Sequence, residues 1–371
     1  MGNAQTPARS VDVMTAPAGC PEAVPVGDKV AFLTGMPGVV QVIETHMAFV
    51  FLTADLAFKL KKPVSFGYFD HRTLAARATA CTEEVRLNRV LAGDIYLGTV
   101  ALVLSETGLA FGDDGPVVDG PVVGGPGVDG PVVDWLVQMR RLPADRMLDA
   151  LITARQASPS QAEVVAVLAH LARFYRRQQT SPPPAGLYLA HLQREQAVNS
   201  ENLHQMARFL PEIPLARVTT DLEDRVARMS SEIAVREKAG LVVEGHGDLR
   251  PEHVCLTDPP VIFDRVETAL ELRVIDVFDE VGYLAAECAL LGRPDLGVCL
   301  MRGLAEAGFA PPSPDLQTTF AMFRLVTRAR LALDHLRDPS PRTPDKWPAR
   351  ARVYLTEAMR LSRPAPGRRG P

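Results

Sequence analysis

The stretch Glu244-Gly245-His246-Gly247-Asp248-Leu249-Arg250-Pro251-Glu252-His253-Val254-Cys255-Leu256, followed by Val261-Ile262-Phe263-Asp264, holds the densest chemistry in the chain. It reads as strand, polar loop, strand, tight turn at Asp258-Pro259-Pro260, strand and a closing acid. Carboxylates at the ends of short adjacent strands can converge on one point. There, Asp248 and Asp264 can hold a metal ion and orient a hydroxyl group.

The rest of the chain has to position that pair. Its 371 residues suffice for two domains or one two-lobed unit with a substantial core. Lys and Arg total 40 against 44 Asp and Glu, so nothing favours nucleic-acid binding, and no such partner is expected. No run approaches the roughly 20 apolar residues of a membrane helix, and the N-terminus lacks a signal-peptide core, so the expectation is a cytoplasmic protein with no membrane partner. Cys20, Cys81, Cys255, Cys288 and Cys299 are odd in number and widely spaced, which predicts reduced, packed thiols. Met1-Gly2-Asn3-Ala4-Gln5-Thr6 formally fits an acylation pattern, but so short a match is weak and the Ala/Arg/Pro-rich composition looks bacterial; an unstructured leader is the expectation.

Residues 1–28 lack periodicity and read as a flexible leader, with ordered structure beginning near Lys29. Strands are predicted over 39–44, 48–52 and 56–61. In the last of these Leu56, Phe58 and Leu60 share one face and Lys59 and Lys61 the other. A helix follows over 74–91, with Leu74, Ala78, Cys81, Val85 and Asn88 as its apolar stripe; Glu83 points away from it and Glu84 sits at its edge, able to reach inward. Strands are predicted over 96–104 and 135–139, separated by a low-complexity Gly/Pro/Val insert at about 112–133. Beyond Arg141-Leu142-Pro143 the chain turns helical: 146–155, 161–178, 199–209 and 221–238, then, after the strand-rich stretch, 278–291, 296–308, 316–337 and 347–361. Residues 363–371 read as a polar tail.

A sheet with an inward lysine, a helix with an inward acid and a later loop with two acids is the layout that phosphoryl transfer from ATP requires. At these residues the sequence resembles the aminoglycoside phosphotransferase-like kinases, small-molecule relatives of the protein kinases. His246-Gly247-Asp248-Leu249 with Pro251 is close to that family's His-Gly-Asp-Leu-His-Pro-x-Asn loop, and Ile262-Phe263-Asp264 stands at the place of its metal-binding Asp. Ala57-Phe58-Lys59-Leu60-Lys61-Lys62-Pro63, Glu83-Glu84-Val85-Arg86-Leu87-Asn88-Arg89 and Met139-Arg140-Arg141-Leu142-Pro143 are similar to an uncharacterised bacterial branch often fused to a P-loop ATPase domain, whose phosphate-loop motif does not occur here.

The resemblance spans roughly residues 35 to 335 and implies an α+β, bilobal protein-kinase-like fold: a small antiparallel-sheet N-lobe with one helix (29–141) and a larger, mainly helical C-lobe (142–362). It implies an ATP-dependent phosphotransferase acting on a hydroxyl of an unidentified small polar molecule. Asp248 would be the catalytic Asp, Asp264 a metal ligand, Lys59 the phosphate lysine and Glu84 its partner. The segment 135–142, with Met139 and Arg140, would be the hinge that meets adenine, and the turn 44–47 would cover the phosphates with Thr45 and backbone amides. His253 stands where the family has an Asn ligand for a second magnesium. Imidazole is a poor magnesium ligand, so a single-metal enzyme, a shift from Mg2+ toward Mn2+, or weakened activity is expected.

Plainer readings accompany these. Asp248 and Asp264 can cap strand ends, Lys61 competes with Lys59, and Glu84 can form a surface salt bridge. His246 is expected to order the loop, Glu267 to stand behind the metal or simply be exposed, Asp276 and Asp279 to cap and brace a helix, and Arg328 and Arg330 to form the polar face of a long helix. Two rivals to the kinase reading stay open: a nucleotide-binding pseudokinase with a regulatory role, and an enzyme transferring a nucleotidyl group to protein.

Overall fold

The structure, a computed structural model, describes residues 24–112, 128–154, 158–338, 341 and 343–362. The expected leader up to residue 23, the insert over 113–127 and the tail over 363–371 lie outside the described residues, as does Cys20. By its contacts the chain divides into two compact units, Met1–Val85 with Tyr96–Arg141 and Arg86–Ile95 with Leu142–Pro371.

The first unit contains α1 (Val26–Thr34), β1 (Gln41–Glu44), β2 (Ala48–Leu52), β3 (Leu56–Lys61), the short pair β4 (Ser65–Phe66) and β5 (Phe69–Asp70), most of α2 (Leu74–Ala92), β6 (Tyr96–Ser105), β7 (Gly108–Phe111) and β8 (Val132–Arg140). Six of its described strands form an antiparallel sheet in the order β1-β2-β3-β8-β6-β7, and β4 pairs with β5 separately. Leu56, Phe58 and Leu60 of β3 enter a core with Leu33, Phe51, Leu97, Leu102, Val133 and Leu136. The strand's period of two therefore turns Lys59 and Lys61 to the opposite face. Helix α1 was not anticipated from the sequence, and Lys29 lies within it rather than at the start of order. That lysine is buried, donating to Val133 O at 2.9 Å and Asp134 at 2.8 Å, while Arg77 Nε reaches the same carboxylate at 2.7 Å. One buried carboxylate thus ties α1, α2 and β8 together.

The second unit contains α3 (Leu148–Thr153), α4 (Gln161–Gln178), α5 (Leu187–Gln205), α6 (Leu215–Lys238), β9 (Val242–Glu244), β10 (Val254–Cys255), β11 (Val261–Ile262), α7 (Leu270–Arg273), β12 (Val274–Asp276), α8 (Val277–Leu290), α9 (Pro294–Glu306), α10 (Pro314–Asp334) and α11 (Lys346–Ser362). Helix α4 starts as read, with Ser160 and Glu163 forming a capping box. Strand β9 pairs with β12, and β10 with β11, all antiparallel. One apolar core gathers Leu168, Val243, Leu249, Val254, Ile262 and Val281, fixing the loop strands between α4 and α8.

The chain is α+β, with a small antiparallel sheet followed by a larger helical unit, which is the element order of a protein-kinase-like fold. Several boundaries moved. The helix expected over 146–155 splits into a 3-10 turn, Ala144–Arg146, and α3, because Met147 bridges to Cys255. Helices expected at 199 and 221 begin earlier, at Leu187 and Leu215, since buried Tyr188, Leu192, Leu215 and Val218 extend their apolar faces. Arg328 and Arg330 are not a solvated helix face. Arg330 is buried against Glu195 at 2.8 Å and Asn199 at 2.7 Å, and the Arg328 guanidinium lies over the Tyr354 ring. Cys81, Cys255 and Cys288 are buried free thiols and Cys299 is half-buried. Among the described residues no helix is long and apolar enough to cross a membrane.

Candidate active site

In the first unit, β3 and α2 bring Lys59, Lys61 and Glu84 together. Lys59 Nζ donates to Glu84 Oε1 at 2.9 Å and Lys61 Nζ to Oε2 at 2.6 Å. Glu84 is fully buried and Lys61 nearly so, whereas 17% of the Lys59 side chain is exposed. A buried carboxylate that must be paired holds both ammonium groups in place, and only Lys59 keeps access to solvent.

Two other expected groups are placed differently. The Thr45 hydroxyl accepts from Ala48 N at 2.9 Å and donates to Ala48 O at 3.0 Å, so it closes its own turn rather than standing free for a phosphate. The proposed hinge is largely a sheet strand. β8 lies between β3 and β6, with Met139 paired to Ala57 and to Tyr96 and Arg140 paired to Leu56. Most backbone groups over 135–140 therefore close ladders, and Arg141 N donates to Asp55 O at 2.8 Å.

In the second unit the loop after β9 is held from below by a residue the sequence reading missed. Glu280, buried inside α8, accepts from His246 N and Gly247 N, both at 2.7 Å, and from the Tyr175 hydroxyl at 2.8 Å. Burial pushes its carboxyl up from the usual range, against these donors. Both loop glycines are dictated by closeness: a Cβ on Gly245 would meet Glu280 Oε2 at 2.7 Å, and one on Gly247, where φ is +89°, would meet Leu272 O at 2.6 Å. Asp276 caps α8 through Phe278 N at 2.8 Å and pairs with Arg236, while Asp279 pairs with Arg324. Bracing was the expected role of both acids.

His246 donates from Nε2 to Phe263 O at 2.8 Å and accepts from Asp248 N at Nδ1, 3.3 Å away. Burial, reinforced by neighbouring His253, holds it neutral with a pKa of about 3. His253 is also buried, with Nδ1 2.8 Å from Asp248 O. Donation there leaves Nε2 to accept from Arg250 Nη2 at 3.3 Å, with Asp264 Oδ2 3.6 Å away. The Asp248 carboxylate accepts from Arg250 Nε at 2.9 Å and from the Tyr283 hydroxyl at 3.2 Å. Burial raises its pKa, but Arg250, then His253 and Arg328, override that and hold it at about 2. Arg250 also pairs with Glu252 and lies 3.3 Å from His253 Nε2. Glu267 is half-buried; its carbonyl accepts from Arg273 at 3.4 Å.

Asp264 has φ +63°, the left-handed region that side chains other than glycine rarely adopt, and it is the only such non-glycine among the described residues. Its neighbours fix it there. Phe263 is bonded to His253 O through its N–H at 3.1 Å and to His246 through its carbonyl. Arg265 N donates to Asn88 at 2.8 Å, and the buried Arg265 guanidinium reaches Gly245 O at 2.7 Å and Glu244 O at 2.8 Å. A strained residue over-determined by its surroundings is a mark of function.

As donors for a cation, Asp264 and His253 fit. One offers a carboxylate with 39% of its side chain exposed, the other an imidazole nitrogen 3.6 Å from it that a cation would share with, or take from, Arg250. Among the described residues no group of three or more His, Cys, Asp or Glu forms a ligand set, so the remaining positions of an ion would fall to phosphate oxygens and water.

No family model matches the chain. Curated relatives from Mycobacterium bovis (strain ATCC BAA-935 / AF2122/97) and Mycobacterium tuberculosis (strains CDC 1551 / Oshkosh and ATCC 25618 / H37Rv), each described as an uncharacterized protein, are 30% identical over 295 residues, 79% of this chain and 54% of theirs. The chain therefore spans about half the length of the curated relatives it matches. Solved structures similar to it include the GDP complex of aminoglycoside 2'-phosphotransferase-IIIa (16% identity, 90% of this chain and 98% of that one, TM-score 0.48). Others are a choline/ethanolamine kinase family protein from Mesorhizobium loti (14%, 92% and 95%, 0.47) and a choline kinase from Cryptosporidium parvum (9%, 91% and 94%, 0.49). At such identities and scores, function has to be argued from the side chains.

One consequence concerns acid. His246 and His191, both in the second unit, are kept neutral by burial with pKa values of about 3 against an ordinary 6.5. Between those values the unfolded chain binds more protons, so stability rises with pH and is lost as pH falls below 6.5. Together the two should remove roughly 2.5 kcal/mol between pH 7 and 5.5. Thermal melts across that range should show a drop of several degrees; a melting temperature that stays constant contradicts the neutral assignment.

Proposed function

We propose that the chain is an ATP-dependent phosphotransferase of the aminoglycoside phosphotransferase-like kind, acting on a hydroxyl of a small polar molecule. The observation that carries this is Asp264, held at φ +63° beside His253 in the loop that also presents Asp248. Lys59, steadied by Glu84, neutralises nucleotide phosphates, and its exposure favours it over buried Lys61 for that role. Asp264, with His253 Nε2 once Arg250 is displaced from it, would hold Mg2+ or Mn2+, which would supply neutralisation of charge on the phosphoryl group. Asp248 orients the acceptor hydroxyl. As the acceptor oxygen bonds to the γ-phosphorus, the bond from that phosphorus to the bridging oxygen breaks, ADP leaves with the electron pair, and the hydroxyl proton passes to Asp248. With a pKa of about 2, Asp248 is a weak base, so it accepts the proton only as the new bond forms.

Arg250 favours a second reading. It ion-pairs with Asp248 and crowds the His253 nitrogen, as a nucleotide-binding pseudokinase would tolerate and an efficient kinase would have to displace. Nucleotide binding itself separates both readings from an unrelated role. ATP with Mg2+ or Mn2+ should bind in a calorimetric titration, and Lys59→Met should weaken it at least about tenfold. Absence of binding, or unchanged affinity in the variant, overturns the assignment.

A further inference from the structure

The acceptor can be narrowed by an arginine whose Nε has no hydrogen-bond partner. Arg328 lies on α10 with 18% of its side chain exposed, and its Nε is buried without a hydrogen-bond partner. Glu287 Oε1 forms an ion pair with that Nε at 3.4 Å without making a hydrogen bond to it, and the Glu287 oxygens already accept from the Tyr354 hydroxyl at 3.0 and 3.2 Å. Its helix neighbours differ. Arg324 makes a two-point contact with Asp279 at 2.9 and 2.5 Å, and Arg330 donates to Asn199 and Glu195. A buried donor left unmade is costly enough that a native protein rarely keeps one without a use.

Its position says what the use is. Tyr283 and Glu287 stand one turn apart on α8, and Arg324 and Arg328 one turn apart on α10. The Arg324 guanidinium lies 5.6 Å over the Tyr283 ring and Arg328 sits beside Glu287, so the two helices face each other rung by rung. Tyr283 donates to Asp248, which places Arg328 about one helical turn, roughly 6 Å, along from the contact with the catalytic acid. Arg328 is also among the charges that hold the Asp248 carboxyl low. A guanidinium presents a planar set of donors that matches a carboxylate or phosphate at two points.

We propose that Arg328 binds an oxyanion, a carboxylate or a phosphate ester, on the same small molecule whose hydroxyl faces Asp248. The acceptor is then an anionic alcohol and not a polycation. The role of the hydroxyl rests on the phosphotransferase reading; the anion subsite does not.

The test omits nucleotide, so that its failure is separate from failure of phosphoryl transfer. Ribose 5-phosphate, glycerol 3-phosphate and glycerate are titrated calorimetrically against the full chain beside uncharged ribose and glycerol, with kanamycin as a polycation. At least one anionic probe should bind about tenfold or more tighter than its uncharged parent, and Arg328→Gln should erase that advantage. Arg328→Lys keeps the charge without the planar donor set and should lose several-fold; it serves if the glutamine variant does not fold by its thermal melt. Equal binding of anionic and uncharged probes, tightest binding of kanamycin, or anion binding unchanged in a folded Arg328 variant overturns the proposal.

Discussion

Asp264→Gly should slow phosphoryl transfer about a hundred- to a thousandfold while leaving the melting temperature unchanged or slightly higher. The left-handed conformation at Asp264, φ +63°, costs a side-chain-bearing residue about 1–2 kcal/mol, and glycine escapes that cost. Glycine gains about 0.4–1 kcal/mol of unfolded-state freedom in exchange, so the net effect lies between zero and about 1.6 kcal/mol of stabilisation. Activity moves the other way. The carboxylate proposed to hold the metal is gone, and a loss of transition-state charge stabilisation on the scale of a missing oxyanion-hole donor is about 10²–10³ in rate. Thermal melts and turnover measured on the same preparation decide it. A variant that loses several degrees would mean that Asp264 is there for the fold; one that keeps full activity would remove it from the site.

Glu280→Ala carries the largest expected effect on stability. It leaves His246 N, Gly247 N and the Tyr175 hydroxyl without their acceptor in a region closed to water. The loss should be about 3–5 kcal/mol, with the relief of burying a charged carboxylate already offsetting part of a larger sum. Glu280→Gln separates shape from charge: its oxygen can take both backbone N–H groups and its amide can donate to the Tyr175 oxygen, so about 1 kcal/mol or less is expected. Denaturant midpoints give the stabilities, and amide exchange at His246 and Gly247 should accelerate in the alanine variant alone. Equal midpoints for the two variants would show that Glu280 does not brace the loop.

The contrast between these residues explains what could be read in advance. The strands at Ala48–Leu52 and Leu56–Lys61 and the helix Gln161–Gln178 stand where their periodicity puts them, because that signal is local. The same alternation set Lys59 and Lys61 on one face, and the helical wheel set Glu84 at the edge of its stripe. Glu280 stayed hidden because it lies in an apolar helix and its partners are far away in the chain; nothing in the local pattern marks an acid that works through backbone N–H groups. Asn88 was seen only as part of an apolar stripe, yet it anchors Arg265 on both backbone atoms. Arg250 was passed over as a loop residue although it touches Asp248, Glu252 and His253. Its charge opposite two acids within the motif was the available signal. The segment expected as the hinge, 135–142, is strand as far as Arg140, which was hidden because a strand and the segment that follows it share the same composition, and only pairing on both sides tells where the ladder stops.

The kinase reading stands or falls on transfer of the γ-phosphoryl group itself. The direct measurement incubates the wild-type chain and Asp248→Ala with γ-labelled ATP, Mg2+ or Mn2+, and hydroxylated small molecules that include anionic alcohols, and follows label into acceptor. Label should appear with the wild type and fall roughly a thousandfold in the variant. ATP binding by both proteins with no Asp248-dependent transfer to any acceptor would contradict it.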